Sequence, residues 1–173
     1  MRRAPQAVVI GDSRAPRRVL QTAAGVGALL ARRGITLVTG GMGGVMAAAS
    51  RAALRGGGVV VGIVPSVDLA QANGWCTVVI PTGMGHARNA LTAIAGDVVI
   101  AIGGGAGTLS EIALAWIHAR PIVVMEGAGG WGDALAHSEV DARRSSTITA
   151  CDDLDALDVA LRRLLPLRRA QRR

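Results

Sequence analysis

Two ionisable residues sit where they could do chemistry beside glycine-rich segments. Arg88 lies in Gly85-His86-Ala87-Arg88-Asn89, and Glu111 closes Gly103-Gly104-Gly105-Ala106-Gly107-Thr108-Leu109-Ser110-Glu111. Glycine lets a backbone approach a ligand closely, and the first turn of a following helix offers unpaired N–H groups with partial positive charge. A phosphate satisfies both. A guanidinium adds two parallel hydrogen bonds to such an anion and stays charged. A carboxylate one helical turn further on, about 4.5 Å along the axis from Thr108, would repel the phosphate itself but favour a cation developing on a sugar attached to it.

Glu111 also has a purely structural reading. Thr108 followed three residues later by a glutamate is a capping box, in which the hydroxyl caps the helix and the carboxylate returns to the threonine N–H. The sequence leaves both readings open. His86, His118 and His137 are read as surface histidines rather than catalytic ones.

These residues need elements to hold them. Short β-branched runs at 7–10, 35–39, 59–64, 77–80, 98–102, 122–125 and, weakly, 147–149 alternate with Ala/Leu-rich stretches of helical length at 18–33, 45–55, 86–95, 108–119 and 154–165. The runs are continuously apolar rather than alternating, as in strands covered on both sides. Strand–helix alternation predicts an α/β chain: a Rossmann-like, doubly wound parallel sheet with helices on both faces. The one departure is a polar loop at 66–75 with little helical pattern. In such folds ligands bind beyond the carboxyl ends of the strands. Four strand ends here carry glycine or small polar residues: Gly11-Asp12-Ser13, Gly40-Gly41-Met42-Gly43-Gly44, the 81–89 segment and the 103–111 segment.

Composition removes whole classes of function. At 173 residues the chain is expected to form a single domain, residues 1–173. All 19 basic residues are arginine and there is no lysine. Schiff-base chemistry and a Walker A phosphate loop both need one. The net charge of +7 comes largely from the termini, above all Arg162, Arg163 and the Arg-rich tail at about 166–173. The body lacks a basic stripe interleaved with aromatics, so the tail is expected to be solvated, or to complement the last helix dipole, rather than to bind nucleic acid. Cys76 and Cys151 are far apart and lack a histidine at ligand spacing. No metal site is therefore expected, and the thiols are read as reduced in a cytoplasmic protein. Charged residues interrupt every long apolar run, so neither a secretion signal nor a membrane span is expected.

Together, GGMGGVM (Gly40 to Met46), GHARN (Gly85 to Asn89) and GGGAGTLSE resemble motifs of the LONELY GUY family, often labelled lysine decarboxylase-like, over most of the chain from the first strand to about Trp131. The label cannot describe the chemistry here, since pyridoxal phosphate has no lysine to anchor it. Enzymes of that family hydrolyse the N-glycosidic bond of nucleoside 5′-monophosphates, including cytokinin forms, and release base and ribose 5-phosphate. The resemblance implies that Arg88 orients the phosphate and Glu111 stabilises an oxocarbenium-like transition state or positions water.

Three positions depart from the hydrolase pattern: Asn89 where a lysine is expected, Gly103 where a proline is, and Ser110 where a carboxylate is. They are more similar to the molybdenum cofactor carrier proteins, a subgroup that binds a pterin phosphate without a known reaction. The expectation is therefore a binding protein for a phosphorylated small molecule, molybdopterin or a nucleoside monophosphate, with no required cofactor. A phosphoribohydrolase is the alternative. The resemblance further implies a homo-oligomer, dimer or tetramer. The expected ligand-binding residues are Gly11, Ser13, Gly40, Gly41, Gly43, Gly44, Met46, Arg88, Asn89, Gly104, Gly105, Gly107 and Thr108. Arg88 and Glu111 form the catalytic pair if there is turnover.

Overall fold

The computed structural model describes residues 3–143 and 146–165. Arg2 and the 166–173 tail lie outside the described residues. Seven strands form one sheet: β1 (Gln6–Gly11), β2 (Thr36–Thr39), β3 (Val60–Val64), β4 (Val78–Pro81), β5 (Val98–Ile102), β6 (Ile122–Met125) and β7 (Thr149–Cys151). All neighbours pair in parallel, in the order β4-β3-β2-β1-β5-β6-β7. This is the predicted doubly wound α/β sheet.

Helices cover both faces and divide the core in two. Against one face pack α1 (Arg17–Arg32), α2 (Gly44–Arg55) and α6 (Leu154–Leu164), enclosing Ala7, Val9, Leu37, Ile100 and Met125. Against the other lie α3 (Asn89–Ile94) and α4 (Ala106–Ile117), enclosing Val8, Ile10, Val99, Ala101 and Val124. Successive residues of β1 thus enter opposite cores, which explains why its sequence is apolar without alternation. Helix α1 turns Val19, Ala23, Val26 and Leu30 inward at helical spacing. Gly27 on that face has no room for a side chain, because a Cβ there would run into the carbonyl of Ala49 in α2.

Several boundaries differ from the sequence expectation. The predicted helix over 86–95 is instead a 3-10 turn, Gly85–Arg88, running into α3. The weak strand expected at 147–149 lies at Thr149–Cys151. A further helix, α5 (Gly130–Leu135), forms where four glycines argue against one. Its start is held by Asp133, whose Oδ2 accepts from Gly127 N at 3.1 Å and Gly129 N at 2.9 Å. The polar loop contains one 3-10 turn, Leu69–Gln71, capped by Asp68. At the C-terminal end, Asp153 caps α6 and Arg162 and Arg163 occupy its last turn, which accounts for part of the arginine cluster as dipole complement. No described helix is long and apolar enough to cross a membrane.

The order of strands reverses between β1 and β5. The chain leaves β1 for β2, β3 and β4, then returns to β5 on the other side. Their register, Ala7↔Val98 through Gly11↔Ile102, brings the loops after β1 and β5 together at this switch point.

Candidate functional site

A cavity of about 440 Å³ opens at the switch point. Of the residues expected from sequence, Gly11, Ser13, Met46, Arg88, Asn89, Gly105, Gly107, Thr108 and Glu111 line it. Gly40, Gly41, Gly43, Gly44 and Gly104 stand behind the wall. A wider groove of about 960 Å³ runs between β7 and α6, but its lining is largely Ala, Thr, Val and Leu without converging charges.

The glycines behind the wall act by allowing close approach. A Cβ on Gly40 would lie 2.6 Å from both terminal nitrogens of Arg88, so the bare backbone makes room for the guanidinium. Gly41, at φ +69, turns its N–H to Thr39 Oγ1 (2.9 Å) and its carbonyl to Asn73 N (2.7 Å). Gly43 and Gly44 let the start of α2 sit on the backbone of Asp12 and Ser13, where Val45 N donates to Asp12 O at 2.9 Å. Met46 follows on the first turn and faces the cavity.

Helix α4 begins at Ala106 with Gly105 as its N-cap and no side-chain cap bond. Thr108 is therefore already inside the helix, and the capping box does not form. Glu111 turns instead toward Arg88, whose Nη1 lies 3.4 Å from Glu111 Oε1 and 3.2 Å from Thr92 Oγ1. Both side chains are about nine-tenths buried. Burial pushes the Glu111 carboxyl up to about 7, with the Arg88 charge acting in the other direction. Burial likewise lowers the Arg88 value, opposed by Glu111. Arg88 Nε is buried and has no hydrogen-bond partner.

Asn89 does not reach toward a charge. Its Nδ2 donates to Ser110 Oγ at 2.8 Å and to Gly107 O at 3.4 Å, while Ser110 Oγ donates to Gly107 O at 2.7 Å. Across the cavity, Asp12 accepts from Gly104 N (3.1 Å) and Gly105 N (3.0 Å) with its two carboxylate oxygens. The first-turn N–H groups of Ala106, Gly107 and Thr108 have no partner within their own helix and border the cavity.

Sequence reasoning did not assign a role to Asp12. Its signal was present: a carboxylate directly after β1 faces the loop after β5 once the strand order is known. Met42, Pro65 and Ala106 also line the cavity and carried no chemical signal.

The geometry can be set beside known proteins. The SLOG cluster4 family model matches residues 4–156. A protein of Archaeoglobus fulgidus described as uncharacterized is 41% identical over 126 residues, covering 69% of this chain and 82% of its own. A cytokinin riboside 5′-monophosphate phosphoribohydrolase of Rhodococcoides fascians is 31% identical, covering 82% of this chain and 80% of its own. The solved molybdenum cofactor carrier protein of Chlamydomonas reinhardtii superposes with a TM-score of 0.80 at 28% identity, over 95% of this chain and 99% of that one. The resemblance found from the motifs, including its carrier-like branch, is thereby upheld.

Proposed function

Because the chain belongs to the SLOG cluster4 family, we propose that it binds a phosphorylated small molecule, a pterin or a nucleoside monophosphate, at the β1–β5 switch point. One observation carries this reading. The guanidinium-bearing Arg88 and the first turn of α4, whose N–H groups have no partner within their own helix, border the same cavity. Both are donors of positive or partly positive charge, and one phosphate supplies acceptors for both. Met42, Met46 and Pro65 give the cavity an apolar side against which a flat ring can lie. A pterin phosphate fits this donor set: Arg88 and the α4 amides would hold its phosphate, and the ring would carry whatever chemistry the ligand brings.

The carrier reading is preferred to the hydrolase because the cation next to Arg88 is missing. Asn89 and Ser110 bind each other and add no charge to the site. Mass spectrometry of ligand released from the denatured, freshly purified protein tests this directly. A pterin or nucleotide in stoichiometric amount is expected; no released ligand, together with no binding of either class on titration, would refute it.

One observation favours turnover as a second reading. A carboxyl held near 7 beside a phosphate cradle suits a general acid or base at neutral pH. Incubation with AMP should then release ribose 5-phosphate, and Glu111→Gln should abolish the release. An assay showing no free base from any nucleoside monophosphate removes this reading and leaves the first intact. A homo-oligomer of either kind belongs to the same proposal, and sedimentation of the purified chain measures it.

A further inference from the structure

We infer that Asp12 is a specificity-determining residue, a built-in anion that restricts the site to phosphomonoesters and turns diphosphates away. The inference rests on the phosphate-binding reading above. Gly103 (φ +64) and Gly104 (φ +106) bend the loop after β5 through two successive left-handed residues, so the N–H groups of Gly104 and Gly105 turn into one concavity. Successive backbone amides that converge in this way form an anion-binding concavity. Here the protein fills it itself, with Asp12 Oδ2 on Gly104 N and Oδ1 on Gly105 N at 3.1 and 3.0 Å. Among the described residues Asp12 has no ion-pair partner, so its charge is held by backbone amides alone. It also lines the cavity.

Two consequences follow for a ligand. Its phosphate is displaced one step along the chain, to the amides of Ala106, Gly107 and Thr108 and to Arg88, which line the same cavity. A further phosphate placed toward the loop would meet the Asp12 carboxylate in a partly desolvated cavity, where like charges repel strongly. The glycines that look like a longer cradle therefore act as a fixed limit on how much negative charge the ligand brings.

The test is titration calorimetry of the whole protein with AMP against ADP, and with orthophosphate against pyrophosphate as a pair free of any base. For the wild type we expect the monophosphate of each bound pair to be preferred at least tenfold. Asp12→Ser, which frees both amides and removes the charge, should narrow that ratio at least tenfold, and Asp12→Asn should narrow it less. Equal affinity for mono- and diphosphate in the wild type overturns the inference even if neither variant folds. So does an unchanged ratio in folded variants, checked by thermal melting. Binding without discrimination leaves the proposed function standing. Failure of every phosphate probe, together with failure of a pterin, defeats both.

Discussion

Asn89 Nδ2 lies 2.8 Å from Ser110 Oγ, so two of the three positions that depart from the phosphoribohydrolase pattern are in contact with each other. A lysine and a carboxylate, expected there from the hydrolases, are replaced by a neutral hydrogen-bonded pair joining the start of α3 to the second turn of α4. The departures are one change rather than two. A double-mutant cycle tests this: Asn89→Ala and Ser110→Ala should each cost about 1 kcal/mol of stability and show a coupling of about 1 kcal/mol, as hydrogen-bonded neighbours do. Additive effects in urea denaturation would show that the two positions act separately.

Gly40→Ala should impair the site with modest damage to the fold. The new methyl meets both terminal nitrogens of Arg88 and must push the guanidinium aside. Loss of one charge-assisted hydrogen bond to the ligand phosphate is worth about 1.5–3 kcal/mol, or roughly ten- to hundredfold in affinity. We expect that loss in a binding titration, with the melting temperature falling far less than for Arg88→Ala. The latter leaves Glu111 buried without its counter-charge and should cost about 3–5 kcal/mol.

The Glu111 carboxyl gives a pH dependence of definite sign. Its value is raised from 4.5 in the unfolded chain to about 7 in the fold. Below about 4.5 both states are protonated and Glu111 imposes no ionisation penalty. As the pH rises from there through 7, the unfolded chain gives up its proton first, so stability is lost. The full loss is at most about 3 kcal/mol. Glu111→Gln has no such proton to lose. The stability of the variant relative to wild type should therefore grow between pH 5 and pH 8 in matched denaturant titrations. A constant difference across that range would show that the carboxyl ionises normally.

Phosphate binding and the same ionisation should be linked. An anion accepted by Arg88 competes with the Glu111 carboxylate for that charge, so the protonated carboxyl favours the ligand. Affinity for orthophosphate is expected to weaken as pH rises from 6 to 8 once its own second ionisation is allowed for. Glu111→Gln should flatten that slope.

Much of this was legible in the chain. The β-branched runs in β1 and β5 are apolar at every position, which only a strand covered twice requires, and the parallel sheet followed. Arg88, Glu111 and Thr108 were legible because they stand beside glycine-rich segments at the ends of strands, where a charged or hydroxyl side chain can meet a ligand. The division of labour among the glycines was not. Gly40 and Gly104 look alike in sequence, yet one makes room for a guanidinium and the other gives its amide to Asp12. That distinction depends on which strands are neighbours, and β1 and β5 are about ninety residues apart in the chain. Helix α5 was missed because its glycines argue against a helix, while the Asp133 bonds that hold its start are formed only on folding.

The close fit of Gly27 against Ala49 bears on how this pocket can change over time. Helix α2 is pinned there at its middle, and at its start by Gly43 and Gly44 on the backbone of Ser13 and Asp12. It has no slack in which to retreat. A lineage adapting this scaffold to a bulkier ring must therefore leave the α2 wall alone and remodel the opposite one, the short turn that carries His86 and Arg88 from the exposed edge strand. Diversity among descendants should accumulate on that side of the cavity.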